Sequence, residues 1–344
     1  MKDILIISTI KFSLQKNNSI NKCCMGLPAD PQQSRCHMRF SVKIFSITLL
    51  IAMQISGFAV AEEVFVIKTS DIIPYNTCVE GLRDALSAYS FEVFNMEGDL
   101  EKGRELISVL KDNKQSRVII AVGPQAAFVI SEINYKAAKL FCMVLNPQKV
   151  IPREKRYPGV SLNIPVSYQL KQIKSAFPER KRIGVFFSLP ENERVIESLQ
   201  QEAVGLGLSI VGFPITTAGD ILPAIASNNY SIDILLMVPD EKINSQKIVE
   251  YIIKESLRRK IPVVGYNSWF AKNGAILSFL IDYRDVGLQA GAMAAQLFKA
   301  GSTVGFERIE SPAKIKISID MKTAEKLGIQ ISAASIQQAS EVIR

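Results

Sequence analysis

An α/β fold of two doubly wound parallel-sheet lobes is predicted for this chain by three observations. Short runs of β-branched and apolar residues alternate with longer runs whose apolar positions recur at helical spacing. The alternation comes as two successive series, the first ending near Leu145 and the second starting near Arg182. The length of 344 residues accommodates two domains at roughly 100–200 residues each.

The first series opens with a strand at Val64–Lys68. A helix follows over Asn76–Ser90, where Val79, Leu82, Leu86 and Tyr89 fall on one face. Phe91–Phe94 reads as a strand, Leu100–Leu110 as a helix and Arg117–Val122 as a buried strand. Pro124–Ile133 is a helix with proline in its first turn, and Lys139–Leu145 is a strand. The second series runs strand Arg182–Phe187, helix Asn192–Leu206, strand Ser209–Phe213, helix Gly219–Ser227, strand Ile232–Val238 and helix Ser245–Arg259. Strands Pro262–Gly265 and Ala275–Ile281, helix Val286–Ala300, strand Lys314–Ser318 and helix Lys322–Leu327 complete it. Such alternation requires parallel sheets with helices on both faces. Ligands of open α/β sheets bind beyond the carboxyl ends of the strands. Two lobes that turn those ends toward each other place the site in the cleft between them, and closure is then a hinge motion.

Composition excludes several functions. Hydrophobic residues at 48% and charged residues at 22% give a packed globular chain rather than a disordered one. The net charge of +8 is partly an N-terminal effect: residues 1–61 carry seven basic and two acidic side chains, leaving 34 basic against 31 acidic residues. No basic block remains to bind nucleic acid. The single histidine, His37, also lies in that segment. The rest of the chain therefore holds no Ser-His-Asp or Cys-His catalytic set and no His-containing zinc site. Neither a G-x-G-x-x-G nor a Walker pattern is present, and no cofactor or metal is expected. Gly205 and Gly207 read as a helix end.

The N-terminal segment reads as an export signal. Met38, Arg39 and Lys43 form a short positive region, an apolar run spans Ile44 to Ile55, and Ala59-Val60-Ala61 is a small-x-small triplet. Cleavage before Glu62 is expected, giving a periplasmic or otherwise exported chain. A membrane anchor or a buried helix is the alternative, against which the apolar run is shorter than the roughly 20 residues of a spanning helix. Residues 1–37 fit no targeting pattern; a start at Met38 explains them, and a long leader is the alternative. Cys78 and Cys142 remain after cleavage. They sit in helix-like and strand-like apolar runs and read as buried thiols, although an oxidising compartment would permit a bridge.

Several stretches together carry a resemblance. Ala121-Val122-Gly123-Pro124-Gln125-Ala126-Ala127 is a strand-to-helix turn. Tyr157-Pro158-Gly159-Val160-Ser161-Leu162 is a crossover. Lys181-Arg182-Ile183-Gly184-Val185 opens the second series, and Gly274-Ala275, Ile281-Asp282-Tyr283 and Gly287 mark a late strand and its return helix. In this order the chain, from about Val64 to Leu327, resembles the ABC-transporter substrate-binding family that includes tryptophan-binding proteins. The resemblance implies a periplasmic-binding type I fold with a multi-strand hinge. It implies discontinuous lobes, with residues 62–163 and 283–310 in one and 164–282 and 311–344 in the other. It also implies a small-molecule ligand, aromatic or branched amino acids foremost, a membrane permease as partner, and a non-enzymatic, monomeric receptor. The chain departs from the family at Pro239-Asp240-Glu241-Lys242, where the acidic group is displaced by one residue from the family's Pro-Thr-Asp-Asn.

Candidate ligand residues lie just past strand ends. The hydroxyls of Thr69 and Ser70 could bind a carboxylate; a turn or helix-capping role is the alternative. Gly123 and Gln125 open a helix whose free N–H groups favour an anion, or else form a close turn that needs glycine. Asn146, Ser161 and Asn163 could face the cleft. Tyr75 or Tyr266 could stack on a ring-bearing ligand, and Trp269 could do so or pack. Asp240 and Asp282 could pair with a ligand ammonium; a solvated turn and a hinge hydrogen bond are the respective alternatives. A sensing module for a membrane receptor or kinase would use the same features. A secreted glycosidase with paired carboxylates is the less economical reading.

Overall fold

The structure is a computed structural model that describes residues 63–344, apart from 113–116, 135–137, 191, 228–230, 244 and 301–307. The expected export signal and its cleavage position lie outside the described residues. From Ala61 onward the chain is one unit containing two sheets.

The first part runs β1 (Glu63–Lys68), α1 (Ile73–Ala85), β2 (Ser90–Asn95), α2 (Leu100–Asp112), β3 (Arg117–Val122), α3 (Pro124–Ser131), β4 (Ala138–Val144), α4 (Pro147–Val150) and β5 (Gly159–Ser161). The second runs α5 (Val166–Ala176), β6 (Arg182–Ser188), α6 (Glu193–Gly205), β7 (Ser209–Ile215), α7 (Ile221–Ser227), β8 (Ile234–Leu236), α8 (Gln246–Arg258), β9 (Val263–Gly265), α9 (Ser268–Lys272) and β10 (Leu277–Ile281). The chain then passes through α10 (Tyr283–Ala300), β11 (Ile309–Glu310), β12 (Ile315–Asp320), α11 (Met321–Leu327), α12 (Ala333–Gln338) and β13 (Glu341–Ile343).

The first sheet has the order β11-β5-β4-β3-β1-β2 and is parallel throughout. The second has the order β13-β12-β10-β9-β8-β6-β7. It departs from the all-parallel expectation at one pair, since β12 runs antiparallel to β10 with Ser278 opposite Ser318. Parallel strands covered on both faces need apolar residues on both, and β3 meets this: Ile119, Ile120, Ala121 and Val122 are fully buried. Alternate strand residues face opposite ways. Val66, Ile120 and Cys142 therefore pack under α1 and α10, while Ile67, Ile119 and Phe141 pack under α3. The second sheet is sandwiched likewise, with Val185 and Leu199 on one face and Phe186 and Ile252 on the other.

Three segments carry the chain between the sheets: 162–165 after β5, Asp282 between β10 and α10, and 311–314 between β11 and β12. Helix α10 returns to the first sheet and packs tightly on α1. A Cβ on Gly287 would lie 2.0 Å from the Cys78 carbonyl oxygen. The crossings are strapped to one another. Lys316 Nζ reaches Asp282 Oδ2 at 2.9 Å, Lys314 Nζ reaches Asp285 Oδ1 at 3.0 Å, and Gln289 Oε1 accepts from the Ala313 N–H at 2.9 Å.

Two local differences from the sequence expectation have physical reasons. Helix α1 begins at Ile73 rather than Asn76 because Pro74 fits a helical first turn. Helix α5 was not predicted: Leu170, Ile173 and Ala176 are its buried stripe, and polar residues between them dilute the signal.

Candidate functional site

Each sheet reverses its strand order beside its first strand, between β1 and β3 in one and between β6 and β8 in the other. Such switch points open a crevice at the strand carboxyl ends, and the two crevices hold most of the expected residues.

At the first switch point, Thr69 continues β1 and donates its N–H to the Val122 carbonyl at 2.9 Å. Its hydroxyl accepts from the Ala126 N–H at 3.1 Å, so it ties β1 to the start of α3. Gly123 has φ +96°, and a Cβ there would lie 2.7 Å from Thr69 Oγ1 and 2.8 Å from Tyr75 Cζ. The phenol of Tyr75 thus lies over a turn that only glycine can make. Burial raises the Tyr75 pKa above the ordinary phenol value, keeping it neutral. Gln125 Nε2 donates to the Gly98 carbonyl at 3.1 Å. Ser70 is half-buried beside this group and makes no cap for α1, whose N-cap is Ile72.

At the second switch point Asp240 is the organising group. Its Oδ2 accepts from the Ser188 N–H at 2.7 Å, the Ser188 hydroxyl at 2.8 Å and Asn192 Nδ2 at 2.6 Å. Its Oδ1 accepts from the Lys242 N–H at 2.9 Å. Burial acts to raise the Asp240 pKa, but these hydrogen bonds outweigh it and hold the carboxyl below its usual value. Asn192 is the N-cap residue of α6, yet its side chain caps nothing. Its amide instead serves Asp240, and its Oδ1 accepts from Lys149 Nζ at 3.2 Å. Lys149 belongs to α4 and follows the first sheet, so this contact crosses between the two sheets. Glu241, next to Asp240, is exposed.

A cavity of about 320 Å³ opens beside these groups, within the roughly 300–1,000 Å³ typical of small-molecule sites. Asn146 lines it from the end of β4 and Gln148 from α4, Asn163 and Ile164 from the first crossing segment, and Val166 from the start of α5. Helix α6 contributes Arg194, Val195, Ser198 and Leu199; Val238 and Tyr266 come from beyond β8 and β9. Asn146 takes a left-handed φ of 49°, and its N–H donates to Asn163 Oδ1 at 2.8 Å. Tyr266 packs against Phe270 at a ring separation of 4.7 Å. Burial, and then the Asp240 charge, raise its pKa.

The eleven expected residues therefore divide. Asn146, Asn163 and Tyr266 line the cavity, with Asp240 one residue beyond the lining residue Pro239. Thr69, Ser70, Tyr75, Gly123 and Gln125 form the group at the first switch point. Ser161 is buried and donates its hydroxyl to the Glu310 carbonyl at 3.1 Å, inside the first sheet. Asp282 binds Lys316 and accepts from the Arg284 N–H at the hinge. Trp269 packs edge-on against Phe270 at 5.4 Å. Sequence reasoning missed Ser188, Asn192, Lys149 and the α6 face. The α6 positions 194, 195, 198 and 199 share one side of a helix, a spacing that was legible once that side was known to border a cleft.

Two α/β sheets, each with a switch point, three linking segments and a cavity lined from both sheets' strand ends define a hinged binding protein of the periplasmic type. Residues 73–343 match the family described as ABC transporter substrate binding protein, and the chain belongs to that family. Over 183 residues it is 28% identical to a tyrosine-binding protein of Clostridioides difficile, and the match spans 52% of each chain, about half the length of that relative. Among solved structures, it is similar to the ligand-free, open form of a substrate binding protein with adhesive properties from Clostridium difficile. That likeness has a TM-score of 0.69 at 20% identity, covering 82% of this chain and 99% of the other. It is also similar to an ABC domain in complex with L-Trp from Streptococcus pneumonia, with a TM-score of 0.58 at 20% identity, covering 82% of this chain and 100% of the other. These likenesses show the type I periplasmic-binding architecture. The family is one of substrate-binding proteins, not of enzymes.

Proposed function

We propose that this chain is exported, binds an aromatic or branched amino acid between its two lobes, and delivers it to an ABC importer by cleft closure. The observation that carries this reading is the cavity at the junction of the two sheets, in a chain matched to the family over residues 73–343. The apolar lining from Ile164, Val195, Leu199 and Val238, with the ring of Tyr266, suits a hydrophobic side chain. The tyrosine-binding relative supports an aromatic ligand. In this reading the lobes comprise residues 62–163 with 283–310, and 164–282 with 311–344. The chain acts as a monomer, its mature form begins near Glu62, and its partner is a membrane permease.

The test is to express the full chain with residues 1–61 in place, determine its intact mass, and record its melting against amino acids, sugars, nucleosides and organic acids. A ligand that binds only the folded state stabilises it by RT ln(1 + [L]/Kd), about 2.7 kcal/mol at a hundredfold excess over Kd. A mass beginning near Glu62 and a shift with tyrosine, tryptophan or a branched amino acid are expected. A shift confined to sugars or nucleosides would discard the amino-acid ligand, and a shift with no compound would favour a sensing or protein-binding role.

A further inference from the structure

The cavity has a charge pattern that points to how its ligand is held. Its lining contains one cation, Arg194, and no carboxylate. Among the described residues the Arg194 guanidinium has no ion-pair partner and no hydrogen-bond acceptor. The neighbouring carboxylate, Asp240, is already engaged. Four donors from Ser188, Asn192 and Lys242 surround its two oxygens, and the side chain is only 7% exposed. Arg194 is an exposed residue, and a positive group entering the cavity would meet its like charge with no lining carboxylate to offset it. A negative group would meet a guanidinium whose five donors match a carboxylate's two oxygens.

The shape agrees with the charge. On α6, Arg194 and Ser198 are four residues apart and form one polar column. Val195 and Leu199 form an apolar column beside it, and Val238 and Ile164 complete that side. Asn146 and Gln148 enter from the first sheet as uncharged amides. A molecule with an apolar body and one acidic end fits this division along its length.

We propose that Arg194 binds the ligand's carboxylate, and that the cavity selects apolar monocarboxylates through that group without requiring an ammonium. Aryl and branched acids that lack the amino group bind alongside the amino acids. This rests on the cavity being the ligand site, as proposed above.

The test uses the full chain and titration calorimetry with two matched sets. One is L-tyrosine, 3-(4-hydroxyphenyl)propanoic acid and tyramine; the other is L-leucine, 4-methylpentanoic acid and isopentylamine. The expected result in at least one set is that the amino acid and the desamino acid bind within about threefold of each other, while the amine does not bind. R194Q should weaken both acids at least about tenfold with no change in melting temperature, and R194K should recover part of the loss. Binding of the amino acid without the desamino acid would overturn the proposal, as would binding of the amine. Unchanged acid affinity in R194Q would also overturn it. All three outcomes leave the amino-acid reading standing. Binding of no compound in either set would remove that reading, and the proposal with it.

Discussion

Lys149 Nζ donates to Asn192 Oδ1 at 3.2 Å, joining the short helix after β4 to the N-cap of α6 across the cleft. Asn192 passes the contact on, because its Nδ2 lies 2.6 Å from Asp240 Oδ2. One surface cation therefore links the first sheet to the buried carboxylate that organises the second switch point. Lys149→Ala should widen the spacing of the lobes, read as a larger radius of gyration in small-angle scattering. Its effect on melting should stay within about 1 kcal/mol, since the lysine is exposed. Asn192→Ala should destabilise more, by about 1–3 kcal/mol, because it takes a donor from buried Asp240. An unchanged radius in the lysine variant would refute the latch.

Asp240 should carry a pH signature. Its folded pKa lies below the ordinary value, so its contribution to stability is present above the unfolded carboxylate pKa of about 3.9. That contribution is lost as pH falls through the lower folded value. Asp240→Asn should cost about 2–3 kcal/mol at neutral pH, because Ser188, Asn192 and Lys242 lose a charged acceptor. In urea titrations the gap between the two proteins should narrow as pH drops below about 4. A gap constant from pH 7 to pH 3 would show that the charge is not what holds these donors.

Gly123 should tolerate no side chain. Its φ of +96° and ψ of 168° lie in a region that is essentially glycine's alone, and an added Cβ meets Thr69 Oγ1 and the Tyr75 ring. Gly123→Ala should cost at least about 2 kcal/mol and push the Tyr75 ring away from the turn it covers. Chemical unfolding gives the first quantity. Absorbance titration gives the second, since Tyr75 would lose the burial that raises its pKa.

Cys78 and Cys142 should resist alkylation in the native protein. Both are free and fully buried, with their sulfurs 3.5 Å apart. The neighbouring thiol and burial push the Cys142 pKa up, so the reactive thiolate is scarce. In a chain that starts at Glu62, and so carries only these two of the five cysteines, iodoacetamide should label neither without denaturant and both in urea, as counted by intact mass. A protein that gains no label in urea would contain a disulfide instead.

The sequence alone determined the order and type of most elements and the two-series architecture. Alternation is a local property: the short β-branched run Ile119 to Val122 reads as a buried strand, and Val79, Leu82 and Leu86 at helical spacing share one helix face. It also pointed to the strand ends where Thr69, Gly123, Asn146 and Asp240 stand. What it left undecided was what those residues touch. Thr69 and Asp240 both carry ligand-type oxygens, yet Thr69 closes a turn and Asp240 gathers four donors, because partners 52 and 57 residues away arrive through the fold. The antiparallel entry of β12, the bond from Lys149 to Asn192 and the exposed face of α6 are decided the same way. They depend on pairings between distant segments, and helical or strand period reports nothing about distance along the chain. Arg194 is the clearest instance: within its helix it is one more exposed charge, and only the approach of the segment that follows β4 makes it the cation of a cavity.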